Sequence, residues 1–183
     1  MADATLFSLP FLLVGVFWFI GLLGTWRGAV ASLALSYAAL IVACQHNSFV
    51  AGTELVSALS SGAGPVQRSA LAFALSLCAA YLGLQVLFAV AWGPAKRASA
   101  RGCMQRLAQS MLTSVAGWVL GVMLAASIVM SQTGDTWLPD AGAEVVLYRE
   151  AVMKTTRATV GLVLPWLSDA PPLFLYPWES ALP

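Results

Sequence analysis

The stretch LAQSMLTSVAGWVLGVMLAASIVM, from Leu107 to Met130, holds no acid, lysine, arginine or histidine. About 20 consecutive apolar residues suffice for a helix to cross the ~30 Å hydrocarbon layer of a bilayer. A helix is the natural form there, because it satisfies its own backbone polar groups where water cannot. Immediately before this run lie Lys96, Arg97, Arg101 and Arg106, with no acid among them. Three further apolar runs precede that basic loop: Leu6–Trp26, Gly28–Cys44 and Ser69–Trp92, none with an acid or a lysine. Arg27 alone divides the first two, at a turn that Gly28 relaxes. The second run is short for a full crossing: it either sits untilted or borrows Gln45 and His46, the alternative being three spans and one re-entrant helix.

Composition points the same way. Sixty per cent of the 183 residues are apolar and nine per cent are charged, against roughly 25% charged in a soluble domain. Lipid must therefore be the main solvent. The expected fold is an all-α membrane protein, a four-transmembrane-helix bundle with an interfacial C-terminal helix and an extended Pro/aromatic tail. Residues 1–131 form the bundle, 132–168 a polar connection and amphipathic helix, and 169–183 the tail. The basic residues sit at membrane edges with no interleaved aromatics, which argues against nucleic-acid binding. Cys44, Cys78 and Cys103 fall at depths too different for disulfide geometry. Asp3 stands where a cleavable signal would be positive, so the first run reads as a span.

Lysine and arginine favour the cytoplasmic side. With the Arg97 loop inside, the Arg27 turn is inside too. Both termini and the loop from Gln45 to Arg68 then lie on the non-cytoplasmic side. All eight acids fall outside in that arrangement: Asp3, Glu54, Asp135, Asp140, Glu144, Glu150, Asp169 and Glu179. The expected location is a bacterial inner membrane.

Helices in lipid associate through close backbone approach at small residues. Run two offers Ser32, Ser36 and Ala39, run three Ser76 and Gly83, and run four Ser114, Gly117 and Gly121, at three- and four-residue spacing. These are the expected packing faces, internal or toward a partner. Trp26, Trp92 and Trp137 fall near span ends, where indoles anchor at the interface.

After the fourth run, Glu144–Leu164 has Arg149, Glu150, Lys154 and Arg157 mostly on one side and Tyr148, Val152, Thr159, Val163 and Trp166 on the other. That pattern predicts a helix lying in the interface plane. The stretch Asp169–Glu179 carries three prolines, which bar regular helix. Its Phe174, Leu175, Tyr176 and Trp178 give an apolar surface for docking on membrane, bundle or partner.

No catalytic constellation stands out. The single histidine, His46, sits at a span end and is only a weak candidate for axial ligation of a pigment or haem. No His/Cys/Asp/Glu group has metal-ligand spacing. The runs offer Gln85 and Thr113 but no ionisable group of the kind coupled transporters use. The expectation is a non-enzymatic protein without a cofactor site of its own, a bound lipid or pigment being left open.

The Trp26-Arg27-Gly28 turn, with the helix-like stretch after it, resembles the colicin V production protein (CvpA-like) family. That family is similar in outline: four spans, an Arg-Gly after the first, and a polar loop before the fourth. Arg106 and Gly117 fit its fourth-helix motif. Gln105, Gln109, Thr113 and Ala116 depart from it, as does Pro10, where the family has an Asp. The resemblance implies an inner-membrane accessory or scaffold protein, or an oligomeric pore. The alternative is a small structural subunit of a large photosynthetic or respiratory membrane complex. Membrane lipids and other membrane-protein subunits, or further copies of this chain, are the expected partners.

Overall fold

The computed structural model describes residues 2–92, 102–133, 154–155, 157–159 and 161–166. Among these there is no strand. The helices are α1 (Ala2–Leu23), α2 (Trp26–Ala51), α3 (Glu54–Leu59), α4 (Pro65–Trp92) and α5 (Cys103–Thr133), with a 3-10 turn at Leu164–Trp166. Residues 154–155, 157–159 and 161–163 are also helical. Three helices, α2, α4 and α5, are long and apolar enough to cross a membrane, and Ser8–Leu23 within α1 is a shorter apolar helix. The chain thus has the make-up of a multi-pass membrane protein.

Local chemistry explains where the helices start and stop. Thr25 is extended, and its Oγ1 accepts a 3.1 Å hydrogen bond from Gly28 N–H, which caps α2. The second run does not stop at Cys44. Nothing in Gln45-His46-Asn47-Ser48 forbids helix, so α2 continues to Ala51 and ends against Gly52. Pro65 opens α4, where its missing N–H costs nothing. Gly62, at φ +85°, makes the turn before it. α5 starts four residues before the apolar run and ends three after it.

The helices do not pack as two successive hairpins. α5 is the central element and touches α1, α2 and α4. α1 immediately precedes α2 in sequence, yet lies along α5, antiparallel to it. Gly21 faces Ser110 and Thr113, Gly117 faces Leu13 and Phe17, and Gly121 faces Pro10. α2 pairs mainly with α4, also antiparallel: Asn47 Nδ2 donates to Ser69 Oγ at 2.7 Å near one end, and Ser32 and Ser36 meet Tyr81 further along. The core between them holds Leu40, Phe73, Leu77, Val122, Met123 and Met130.

The α1–α5 seam is close because it lacks side chains. A Cβ added at Gly121 would lie 2.6 Å from Pro10 Cα, at Gly117 2.8 Å from Leu13 O, and at Gly21 2.5 Å from Ser110 Cα. Pro10, fully buried, brings no N–H and leaves the carbonyl one turn earlier without its helical donor.

Candidate functional site

The polar side chains of the bundle fall into two sets. The first is internal to the helices. Ser36 Oγ donates to Ser32 O (2.6 Å), Ser76 to Ala72 O (2.7 Å), Ser114 to Ser110 O (2.7 Å) and Ser127 to Met123 O (2.6 Å). Thr113 Oγ1 lies 3.0 Å from Gln109 O and 3.1 Å from Ser110 O. Back-bonding of this kind lets hydroxyls be buried without partners on another helix. Within α4, Tyr81 Oη accepts from Gln85 Nε2 at 2.8 Å, and the hydroxyls of Ser32 and Ser36 on α2 lie against it. Phe17 packs on the Tyr81 ring at 5.9 Å. This links α1, α2 and α4 near the middle of the bundle.

Gln109 differs from the rest of this set. Its side chain is fully buried on α5, and neither Oε1 nor Nε2 has a hydrogen-bond partner. A buried amide without partners is destabilising by roughly 1–3 kcal/mol. Asn47 Oδ1 is in the same position, although Asn47 Nδ2 is bonded.

The second set holds the C-terminal segment. Trp118 Nε1 donates to Thr155 Oγ1 at 3.1 Å. Tyr37 Oη donates to the carbonyl of Leu162. Gln45 Nε2 donates to the carbonyl of Trp166 at 2.9 Å. Pro165 has no N–H to return to the preceding turn, and the helix tightens there into the 3-10 turn Leu164–Trp166. Thr159 and Val163, one turn apart, are buried against the bundle, while Lys154, Arg157, Leu162 and Trp166 are exposed.

The polar/apolar division expected of this helix is therefore present in its described part, and its buried side faces the bundle. Trp118 is the middle residue of α5, fifteen from either end. Tyr37 is also well inside α2. The segment runs obliquely along the bundle from mid-α5 across mid-α2, and rises toward Gln45. The reason is hydrogen bonding: indole and phenol donors in the middle of the spans find acceptors on this segment that lipid could not offer. Trp118 serves as such a donor, and packs edge-on against Phe11 at 5.9 Å.

The packing residues expected from the sequence separate into three groups. Gly117 and Gly121 lie in the α1–α5 seam. Ser32, Ser36, Ala39 and Ser76 are buried and Ser114 is half-buried. Gly83 is exposed, and a Cβ there would meet nothing within 4 Å, so it packs on no other helix among the described residues. It shares its face with Leu82, Val86, Leu87 and Val90, all exposed. His46 is exposed, with Nδ1 3.1 Å from Val42 O, a geometry that suits a donating Nδ1–H bonded within α2. Arg27 and Arg106 are exposed. Gly28 has a local role as the partner of the Thr25 cap. Phe174, Leu175, Tyr176 and Trp178 lie outside the described residues, as do Trp137 and the part of the amphipathic helix before Lys154.

Sequence reasoning passed over Tyr37, Gln45, Trp118 and Thr155 as a set. Tyr37 and Trp118 carry one sequence signal, a polar hydrogen-bonding atom well inside an apolar run; Gln45, just past run two, and Thr155, in the amphipathic segment, carry none. Among the described residues, no three His, Cys, Asp or Glu side chains gather in a way that would hold a metal ion. No family model matches the chain, and no curated protein or solved structure is significantly similar to it.

Proposed function

We propose that this chain is a four-span bacterial inner-membrane protein that acts as an accessory or scaffold, holding other membrane components in place rather than carrying out chemistry. The observation that carries this reading is the use made of its polar groups. Apart from the Gln109 amide and Asn47 Oδ1, the buried hydroxyls and amides and the Trp118 indole described above are bonded to backbone or to each other, which suits a rigid frame. The outer face of α4 meanwhile offers Leu82, Val86, Leu87 and Val90 to its surroundings. In this reading α1 is the first span, short but continuous with the rest of the bundle through its glycine seam. The Arg27 turn and the basic loop lie in the cytoplasm.

The resemblance to colicin V production proteins supports an accessory role through Arg27-Gly28, Arg106 and Gly117. Membership of a large photosynthetic or respiratory complex is the second reading. It is favoured by the exposure of a whole apolar face on α4 around Gly83, which is small enough to admit a neighbouring helix. Gentle detergent extraction followed by native gel and mass spectrometry tests both. Co-migration with cofactor-bearing subunits selects the second reading, and co-migration with other envelope proteins the first. A chain that runs alone as a monomer defeats both.

A further inference from the structure

α2 and α5 begin side by side at one end of the bundle. α1 ends at Leu23 and α2 starts at Trp26, so the α2 start lies next to the last turn of α1. Gly21 in that last turn faces Gln109 and Ser110 of α5. Four residues further out on each side, about 6 Å along a helix, Thr25 stands level with Arg106. α2 and α5 are also in direct contact.

Each start carries a cation where a helix prefers an anion. Arg27 is the second residue of α2 and Arg106 the fourth of α5, and neither first turn holds an acid. Both arginines are exposed. The N–H groups of a first turn give a helix start partial positive charge, which repels a cation and attracts an anion. Thr25 Oγ1 takes up the N–H of Gly28, and Gly102 O takes up those of Gln105 and Arg106. The N–H groups of Trp26, Arg27, Cys103 and Met104 precede any carbonyl of their own helix that could accept them, and point out of this end. Two guanidinium groups and two helix starts therefore put their positive charge at one corner. Trp26, 47% exposed beside Arg27, is the kind of side chain that settles at headgroup level.

Gln109 is an independent sign of a ligand. It lies one turn inside Arg106, and a helical side chain leans toward the N-terminus of its helix, so its amide is directed at the same end. It is fully buried, and neither Oε1 nor Nε2 has a hydrogen-bond partner. A water bridging from a hydrated anion at this corner would supply one.

We infer that Arg27 and Arg106 together hold one phosphate group at the membrane surface, that of an anionic phospholipid or of a soluble phosphoryl compound. The planar fork of a guanidinium matches phosphate oxygens, and two forks fix the position of the group as well as its charge. The inference rests on the transmembrane reading proposed above, which puts the α1–α2 turn at the depth of the lipid phosphates.

Two measurements on the full-length protein in phosphatidylcholine vesicles test this. The first reads depth. Leu23→Cys, in a background without Cys44, Cys78 and Cys103, carries a fluorophore that is quenched by lipids brominated near the headgroup or at the chain centre. Stronger quenching from near the headgroup is expected; stronger quenching from the chain centre overturns the transmembrane reading and the inference with it. The second reads the ligand. Phosphatidylglycerol and phosphatidylcholine, brominated at the same position near the headgroup, are titrated in turn. Half-maximal quenching is expected at about thirtyfold lower mole fraction of phosphatidylglycerol, the contribution of two arginines at a membrane surface. Arg27→Gln and Arg106→Gln should each reduce that preference about fivefold. Arg68→Gln, at the opposite end of the bundle beside the Asn47–Ser69 contact, should leave it intact. Inorganic phosphate, compared with chloride of equal ionic strength, separates the two sources. Unchanged quenching assigns the phosphate to lipid, and displacement of phosphatidylglycerol assigns it to a soluble compound. Headgroup-level quenching with no loss of preference in either arginine variant overturns the inference alone, as it would if a carboxylate of this chain already held them. An equal loss with Arg68→Gln also overturns it, by reducing the effect to general surface charge.

Discussion

The seam between α1 and α5 and the seam between the bundle and its C-terminal segment use opposite chemistry. The first is made by removing atoms. Gly21, Gly117 and Gly121 let backbone approach backbone, and Pro10 fills the space beside Gly121. The second is made by adding donors. Trp118, Tyr37 and Gln45 each reach across to an acceptor on the segment. A glycine seam gains its stability from many weak van der Waals contacts and tolerates no enlargement. A donor seam depends on a few directional bonds and should open one bond at a time.

The sharpest way to break this contrast is Gly121→Leu. Its Cβ alone would fall 2.6 Å from Pro10 Cα, and backbone cannot yield as a side chain can. A loss of about 3 kcal/mol, the upper end of ordinary overpacking, is expected in the midpoint of SDS-driven unfolding in mixed micelles. Little change there would show that α1 does not lie along α5.

Gln109→Leu should move stability the other way. The leucine keeps most of the volume and removes an amide with no partner on either atom. A gain of about 1–2 kcal/mol in the same titration is expected. A loss would mean that the glutamine is bonded in the membrane-embedded protein.

Tyr37→Phe tests the donor seam. It deletes the bond to Leu162 O and keeps the ring. Interhelical hydrogen bonds in membranes average about 0.6 kcal/mol, so global stability should hardly change. Hydrogen exchange across residues 154–166 should nevertheless rise severalfold, with α1 and α5 unaffected. Uniform exchange across all helices would abolish the distinction between the two seams. Gly83→Leu is the quiet control, expected within about 0.5 kcal/mol of the parent because open space surrounds it.

The helices themselves were legible in the sequence because the bilayer sets a length and forbids charge, and both rules can be read residue by residue. The runs ending at Trp92 and Met130 emerged as α4 and α5 with small changes at their ends. The end of α2 was misjudged because Gln45-His46-Asn47-Ser48 reads as polar loop. Only the Asn47–Ser69 contact shows why helix continues there. Pairing was less legible. Small-residue spacing marks a face but carries no address, so Gly83 and Gly117 look alike in sequence, yet one meets empty space and the other a neighbouring backbone. The charges of the C-terminal segment mark its exposed side, but not what its other side meets. Its contacts with the bundle come from three donors lying 37 to 125 positions away in the chain, and no local pattern encodes such bonds.

The partnership of Pro10 with Gly121 also sets a timetable. The two residues are 111 positions apart, and ribosomes extend chains at about 5–20 residues per second. The first helix must therefore wait on the order of 5–20 s, its narrow side bare in the lipid, before its mate has been synthesised. During that interval α2 and α4 can already have met. The amino-terminal helix can dock only once α5 has been made, into a slot that α2 and α4 alone do not provide. Until then, any insertase or neighbouring protein that shields it acts as a stand-in for α5.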